Sequence, residues 1–225
     1  MPEGGPNQRY DRRAAAYDRV VGGRLYNRLL WGSSPAAYAA FAARAVSSGA
    51  GPMLDAGCGS LVFTAGVYAE ADRPLVLLDH SVGMLEAARD RLAAIRGVVP
   101  ASTALLQADL LDLPFASGSF STVLTMGMLH LFDDVTGVVS ALARSVQPGG
   151  ALFLSSLVSE TRVGGRYLSL LHRAGEVALP RTEQQLLAAV RLGIPASFGE
   201  VESRVEGSMA FIVVSDGMAG RVVGG

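Results

Sequence analysis

The stretch that most constrains this chain is MLDAGCGS, residues 53–60. An apolar run ends in Asp55, the turn Gly57-Cys58-Gly59 comes next, and an apolar-periodic segment begins at Leu61-Val62-Phe63. This order predicts strand, tight turn, helix. Glycine reaches backbone angles that other residues resist and lets a ligand approach the main chain closely. The helix after the turn directs unpaired N–H groups at whatever lies on it. Open α/β sheets hold ligands at such turns, at the carboxyl ends of their strands. A short glycine turn is equally a plain connection, so its meaning depends on the residues downstream of it.

Downstream the chain alternates regularly. Strands are expected at 52–55, 75–78, 103–107, 120–126 and 151–157. Helices are expected at 61–70, from a Ser81 cap to 96, and over 133–146, stopping at Pro148-Gly149-Gly150. Repeated βαβ units imply a mostly parallel sheet with helices on both faces. The last third breaks the pattern: helices at 162–176 and 182–192, then a β-hairpin of 196–205 and 208–215 around Glu206-Gly207. Such a hairpin gives the sheet an antiparallel last strand. Ahead of the first strand, 10–48 reads as helical, interrupted at Gly22-Gly23 and before Pro35, which opens the next helix. Residues 1–8 are expected to be disordered. The expected organisation is a helical cap at 1–48 and a domain at 49–225, forming one globular unit.

Composition removes several function classes. A chain of 225 residues, 50% hydrophobic, has ample material for one core. The formal charge of −1 leaves no basic face for a phosphate backbone, so no nucleic-acid partner is expected. All 19 basic residues are arginine, which excludes Schiff-base and pyridoxal phosphate chemistry and a phosphate-loop lysine. The single Cys58 excludes intrachain disulfides and cysteine-rich zinc sites, and the three scattered histidines offer no metal-ligand spacing. The polar start has no secretory pattern, and no apolar run nears the roughly 20 residues that span a bilayer. A soluble cytoplasmic protein is expected.

Several side chains stand where chemistry is possible. Asp79 ends the second strand, 24 positions after Asp55. An acid there can accept both hydroxyls of a ribose or can form a turn ahead of a helix cap; the preceding glycine turn favours the ribose. Asp109, after the third strand in QADLLDLPF, can accept from an adenine amino group, with Leu110 offering a backbone N–H and an apolar wall. Equally, it is one loop acid of two, beside Asp112. Asp55 either accepts from the turn's N–H groups or reaches a ligand through water. His130, just past the fourth strand in TMGMLHLFDD, is a general base near neutral pH or a residue that shapes the pocket. His80 reads as packing over a nucleoside, His172 as a surface or lid residue. Cys58 reads as a small packing residue, since a nucleophilic cysteine needs a base. The aromatic series Tyr10, Tyr17, Tyr26, Trp31 and Tyr38 is more often core than binding stripe.

In this order and spacing the motifs resemble class I S-adenosylmethionine-dependent methyltransferases. The chain is similar to the small-molecule branch that includes ubiquinone/menaquinone-biosynthesis C-methyltransferases. MLDAGCGS, LVLLDHSVGMLEAAR, QADLLDLPFASGSF, VLTMGMLHLFDD and RSVQPGGALFLSSL carry the resemblance, across about residues 50–158. The resemblance implies a three-layer, Rossmann-like, seven-stranded, mostly parallel sheet with an antiparallel last strand and an amino-terminal helical cap. It implies S-adenosylmethionine as cofactor, with Asp55, Gly57, Cys58 and Gly59 at the methionine portion and Asp79 on the ribose. It places His80 and Met84 beside the adenine and Asp109 and Leu110 on the adenine edge. Met126 and Gly127 line the methyl-transfer side, His130 lies near the acceptor, and Tyr17 covers the cofactor from the cap. The family's third glycine is Leu61 here, a side chain expected to crowd the methionine end; Ser121 after Phe120 is a minor departure.

The leading expectation is methyl transfer to a small molecule. The partner is a methyl acceptor, apolar or aromatic from the run Met126, Met128, Leu129, Leu131 and Phe132, with a homodimer as an allowed state. A nicotinamide-dependent oxidoreductase needs glycine where Val62 stands. A cofactor-binding regulatory or partner protein that transfers nothing is kept open by Leu61.

Overall fold

A computed structural model of the chain describes residues 34–215. Tyr17, Trp31 and the expected helices before residue 34 lie outside the described residues. In chain order the elements are α1 (Pro35–Ser47), β1 (Met53–Ala56), α2 (Ala65–Ala69), β2 (Leu75–Asp79), α3 (Val82–Arg96), β3 (Thr103–Gln107), β4 (Phe120–Thr125), a 3-10 turn (Leu129–Leu131), α4 (Val135–Ser145), β5 (Val146–Leu157), α5 (Arg162–Arg173), α6 (Glu183–Gly193), β6 (Glu200–Glu206) and β7 (Met209–Ser215). The helices start where local chemistry favours it. Ser34, Ser81, Asp134, Thr161 and Thr182 each accept a hydrogen bond from a first-turn N–H, satisfying a donor the helix leaves unpaired.

The seven strands form one sheet in the order β3-β2-β1-β4-β5-β7-β6. The strands β1 to β5 pair in parallel, and β7 runs antiparallel between β5 and β6. The last strand in sequence is therefore an inner strand and almost wholly buried, while β6 takes the edge with Glu200, Glu202 and Arg204 exposed. A charged edge strand deters pairing with other chains. β1 pairs with β2 on one side and β4 on the other. The winding reverses there, so the crevice lies at the carboxyl ends of β1 and β4.

Alternating side chains divide between two cores. One face of the sheet packs Phe153 and Phe211 against Tyr38, Phe41 and Ala45 of α1, with Tyr68 of α2 in the same layer. The Phe41 ring lies 5.4 Å from that of Phe153 and 5.0 Å from that of Phe211. The other face packs Leu54, Val123, Leu152 and Ile212 with Leu142 of α4 and Val190 of α6. At the amino end of the sheet, Arg73 is buried. Its guanidinium donates to the carbonyls of Ala45, Val46 and Gly51 and to the hydroxyls of Ser121 and Thr122. It caps the last carbonyls of α1, where the helix dipole also favours a cation.

Several boundaries differ from the sequence reading, and two of the differences have a clear backbone cause. The helix after the glycine turn spans only Ala65–Ala69, because Leu61 adopts φ 60°, which no right-handed helix contains. The fifth strand begins at Val146, already paired with Phe120, so the Pro148-Gly149-Gly150 stop lies within an extended segment. No helix among the described residues is long and apolar enough to cross a membrane.

Candidate active site

The site is built on the turn between β1 and α2. Gly57, Gly59 and Leu61 all have left-handed backbones, with φ of 78°, 57° and 60°. The N–H groups of Gly57 and Cys58 donate to the Leu78 carbonyl at 2.8 and 2.9 Å. The Gly59 N–H donates to Asp79 Oδ2 at 2.8 Å. The expectation that helix N–H groups await a ligand here is thus corrected: the end of β2 already takes the turn's donors, and the helix starts farther on. The glycines differ in what surrounds them. A Cβ on Gly57 would lie 2.9 Å from the Met128 side chain, whereas one on Gly59 would meet nothing within 4 Å. Gly57 is closed by packing; Gly59 faces open space.

Leu61 does not stand in the mouth of the turn. Its side chain is 2% exposed and joins the core layer of Tyr38, Phe41 and Tyr68. The expected crowding of the site is corrected on that ground: the bulky side chain turns inward while the backbone keeps a glycine-like angle.

Asp55 is buried at 2% exposure. It accepts nothing from the turn. Its Oδ2 accepts from the Tyr68 hydroxyl at 2.6 Å, and its Oδ1 is buried with no hydrogen-bond partner among the described residues. Burial, only partly offset by the Tyr68 bond, pushes its carboxyl up to about 7. Burial likewise raises the Cys58 thiol well above its ordinary range, so it stays a neutral packing group. The Asp79 carboxylate accepts the Gly59 N–H on Oδ2 and the Ser81 N–H on Oδ1 at 2.9 Å, with the His80 backbone as a further donor. Burial also raises its pKa.

The ends of β2 and β3 are tied together. Ala108 N–H donates to the Asp79 carbonyl and Gln107 Nε2 to the His80 carbonyl. Asp109, exposed, accepts the Leu111 N–H at 2.8 Å, while Leu110 is buried. Met84 is buried on the first turn of α3, and the His80 side chain is exposed. Past β4, Met126 is half-buried; Gly127 has φ 65°, opens on empty space and donates to Ser155 Oγ. Thr125 Oγ1 donates to the Ala56 carbonyl at 2.6 Å, locking the ends of β4 and β1 side by side. The fold therefore gathers Asp55, Gly59, Asp79, Met126 and Gly127 at one end of neighbouring strands.

His130 lies in the 3-10 turn with its Nδ1 buried and unpaired. Burial lowers its pKa to about 4, which corrects the expectation of a base titrating near neutrality. Leu129 is fully buried in the core, so it is no part of an acceptor mouth, whereas Leu131 is exposed. Sequence reading missed Tyr68, Thr125 and Arg73. Tyr68 falls 13 residues after Asp55 on a helix, a spacing without a recognisable signature.

Residues 54–154 match the family model described as a methyltransferase domain. The match runs from β1 into β5, somewhat under half of the chain. The chain is similar to the uncharacterized methyltransferase YodH of Bacillus subtilis, 38% identical over 101 residues, 45% of this chain and 41% of that protein. It is 30% identical over 152 residues to the malonyl-[acyl-carrier protein] O-methyltransferase of Legionella pneumophila, covering 66% of this chain and 46% of that protein. The chain thus spans less than half the length of these relatives. Among solved structures, the [4+2]-cyclase SpnF has a TM-score of 0.71 at 17% identity, over 93% of this chain and 95% of that one. The geranyl diphosphate C-methyltransferase of Streptomyces coelicolor A3(2) has a TM-score of 0.63 at 14% identity, over 96% and 85%. At these identities the likeness is one of fold.

Proposed function

We propose that this chain transfers the methyl group of S-adenosylmethionine to a small molecule with apolar or aromatic surface. The observation that carries the reading is the bare, buried Asp55 oxygen behind a glycine turn that opens on empty space at Gly59. A buried acceptor without a partner calls for a donor, and the ammonium of a methionine portion supplies one. When bound, the cofactor presents a methyl on a positively charged sulfur, so the acceptor needs alignment in a dry site more than activation.

In this reading Asp55, Gly57, Cys58 and Gly59 hold the methionine portion. Asp79 takes the ribose hydroxyls, its carboxylate held in place by the backbone N–H groups of Gly59 and Ser81. His80 and Met84 flank the adenine, Asp109 and Leu110 meet its edge, and Met126 and Gly127 line the transfer side. His130, neutral and with one bare nitrogen, accepts a hydrogen bond from the methyl acceptor and takes a proton only as methylation makes that group strongly acidic.

The acceptor's apolar character rests on Met128, Leu131 and Phe132 beyond β4. The acceptors named for the relatives, malonyl-[acyl-carrier protein] and geranyl diphosphate, differ from each other, and SpnF is a cyclase on a like fold; acceptor and reaction belong to the site rather than to the fold. The reading of a binding protein without transfer rested on Leu61 crowding the methionine end, and a side chain packed in the core removes that ground. Calorimetry with S-adenosylmethionine, its demethylated product and a nicotinamide nucleotide tests the cofactor, and transfer of labelled methyl into a panel of phenols, enols and amines tests the reaction. Binding of the first two and not the third is expected; no binding of S-adenosylmethionine overturns the proposal.

A further inference from the structure

The two oxygens of Asp55 are used unequally. Oδ2 accepts from the Tyr68 hydroxyl, and Oδ1 has no hydrogen-bond partner among the described residues, although both side chains are almost wholly buried. The groups that face this carboxyl are Tyr68 from α2, Cys58 from the turn and Asp79 from β2. None of the three is a cation, and Asp79 repels a charge on Asp55. Burial raises the Tyr68 hydroxyl well above its ordinary range, so it remains a donor. With Oδ2 occupied by that donor, the proton of a neutral Asp55 sits on Oδ1. That is the atom an incoming ammonium has to meet. Proton and ammonium therefore exclude each other.

We propose that Tyr68 is a positioning residue for the cofactor: its hydroxyl presents the bare oxygen of Asp55 to the ammonium of the methionine portion, and the ligand binds with release of the Asp55 proton. This inference rests on the proposed function and goes beyond it, since it assigns a role to Tyr68 and makes cofactor affinity a function of pH. The proton leaves to solvent, and no bond other than that O–H is broken. The sign is set by the carboxyl lying near 7 in the empty protein. Above that pH Asp55 is already ionised, and its titration no longer changes affinity. Below it each pH unit costs about tenfold in apparent affinity, because one proton must leave for each ligand bound.

The experiment is calorimetry at pH 6.0 and 8.5, in pairs of buffers with different ionisation enthalpies. Its probes are S-adenosylmethionine, S-adenosylhomocysteine and 5′-methylthioadenosine, which keeps the nucleoside and lacks the ammonium. The native chain should release about one proton on binding either of the first two at pH 6.0 and close to none at pH 8.5. Methylthioadenosine should release none at either pH. In Tyr68→Phe the carboxyl loses its donor, so the proton-release window should move upward. S-adenosylmethionine affinity at pH 7.5 should fall roughly tenfold, the worth of one hydrogen bond to a charged group, with methylthioadenosine affinity unchanged. Asp55→Asn should bind S-adenosylmethionine weakly and without proton release, and its thermal melt checks that the fold survives. Proton release with methylthioadenosine, or S-adenosylmethionine binding without proton release at pH 6.0, overturns the inference and leaves the cofactor reading standing. Failure of the native chain to bind S-adenosylmethionine at any pH overturns both.

Discussion

Leu61 offers a test in which the usual order of two substitutions reverses. Its side chain is 2% exposed, in the core layer with Tyr68 and Phe41, while its backbone sits at φ 60°. Leu61→Ala deletes the buried side chain and keeps the strained angle, so it should cost about 2–5 kcal/mol, the range for large-to-small core changes. Leu61→Gly loses the same packing but relieves the left-handed strain of a residue with a Cβ, roughly 1–2 kcal/mol. Against this stands the greater freedom of glycine in the unfolded chain, about 0.5–1 kcal/mol. The balance makes Leu61→Gly as stable as Leu61→Ala or up to about 1.5 kcal/mol more stable, although at ordinary angles glycine is the worse of the two by about 0.5–1 kcal/mol. Urea unfolding followed by circular dichroism, with equal slopes for the two variants, measures the difference. A glycine variant about 1 kcal/mol less stable than the alanine variant refutes the left-handed assignment. Neither variant should tighten S-adenosylmethionine binding, since the side chain does not face the open space at Gly59.

Asp79→Ala removes an acceptor from the backbone donors around it and from the proposed ribose, so calorimetry should show S-adenosylmethionine binding at least about tenfold weaker, the scale of a bond to a charged group; unchanged affinity removes Asp79 from the site. Arg73→Lys keeps the charge but presents fewer donors to five neutral acceptors, so thermal or urea unfolding should record a loss of about 2–4 kcal/mol with cofactor affinity at pH 8 intact in the folded protein. His130 should stay neutral throughout the physiological range, because burial holds its pKa to about 4. In the native protein the pH profile of the proposed methyl transfer, measured with saturating cofactor, should therefore lack a His step between pH 6 and 8. His130→Ala should slow transfer without changing S-adenosylmethionine affinity, and a step in that window that vanishes with the substitution would show an ordinary, solvated base.

The sequence by itself determined what is local. Helix starts are written in short-range chemistry, as at Ser34-Pro35, Ser81 and Thr182, where a cap side chain reaches an N–H three residues on. Strand positions are marked by apolar runs between turn residues, and βαβ alternation implies parallel pairing. The glycine turn and the acid ending β2 were legible because both depend on chain geometry within one supersecondary unit. Burial and long-range contact were decided only by the tertiary structure. Periodicity says that a residue is apolar or charged, and packing decides what it touches. Thus Leu129 and Leu131, two residues apart, read as one apolar mouth, yet the first is in the core and the second exposed. Arg73, one charge among 19 arginines, becomes buried because the ends of α1, β1 and β4 converge on it. His130 sits where the motif puts it, but its basicity is set by desolvation, a property of everything packed around it. Leu61 broke the glycine pattern, and the direction of its side chain depended on a core assembled from α1 and α2. Asp55 was visible as the end of a strand. Its Tyr68 partner and its bare oxygen exist only because α2 folds back across the end of β1 and shuts out water.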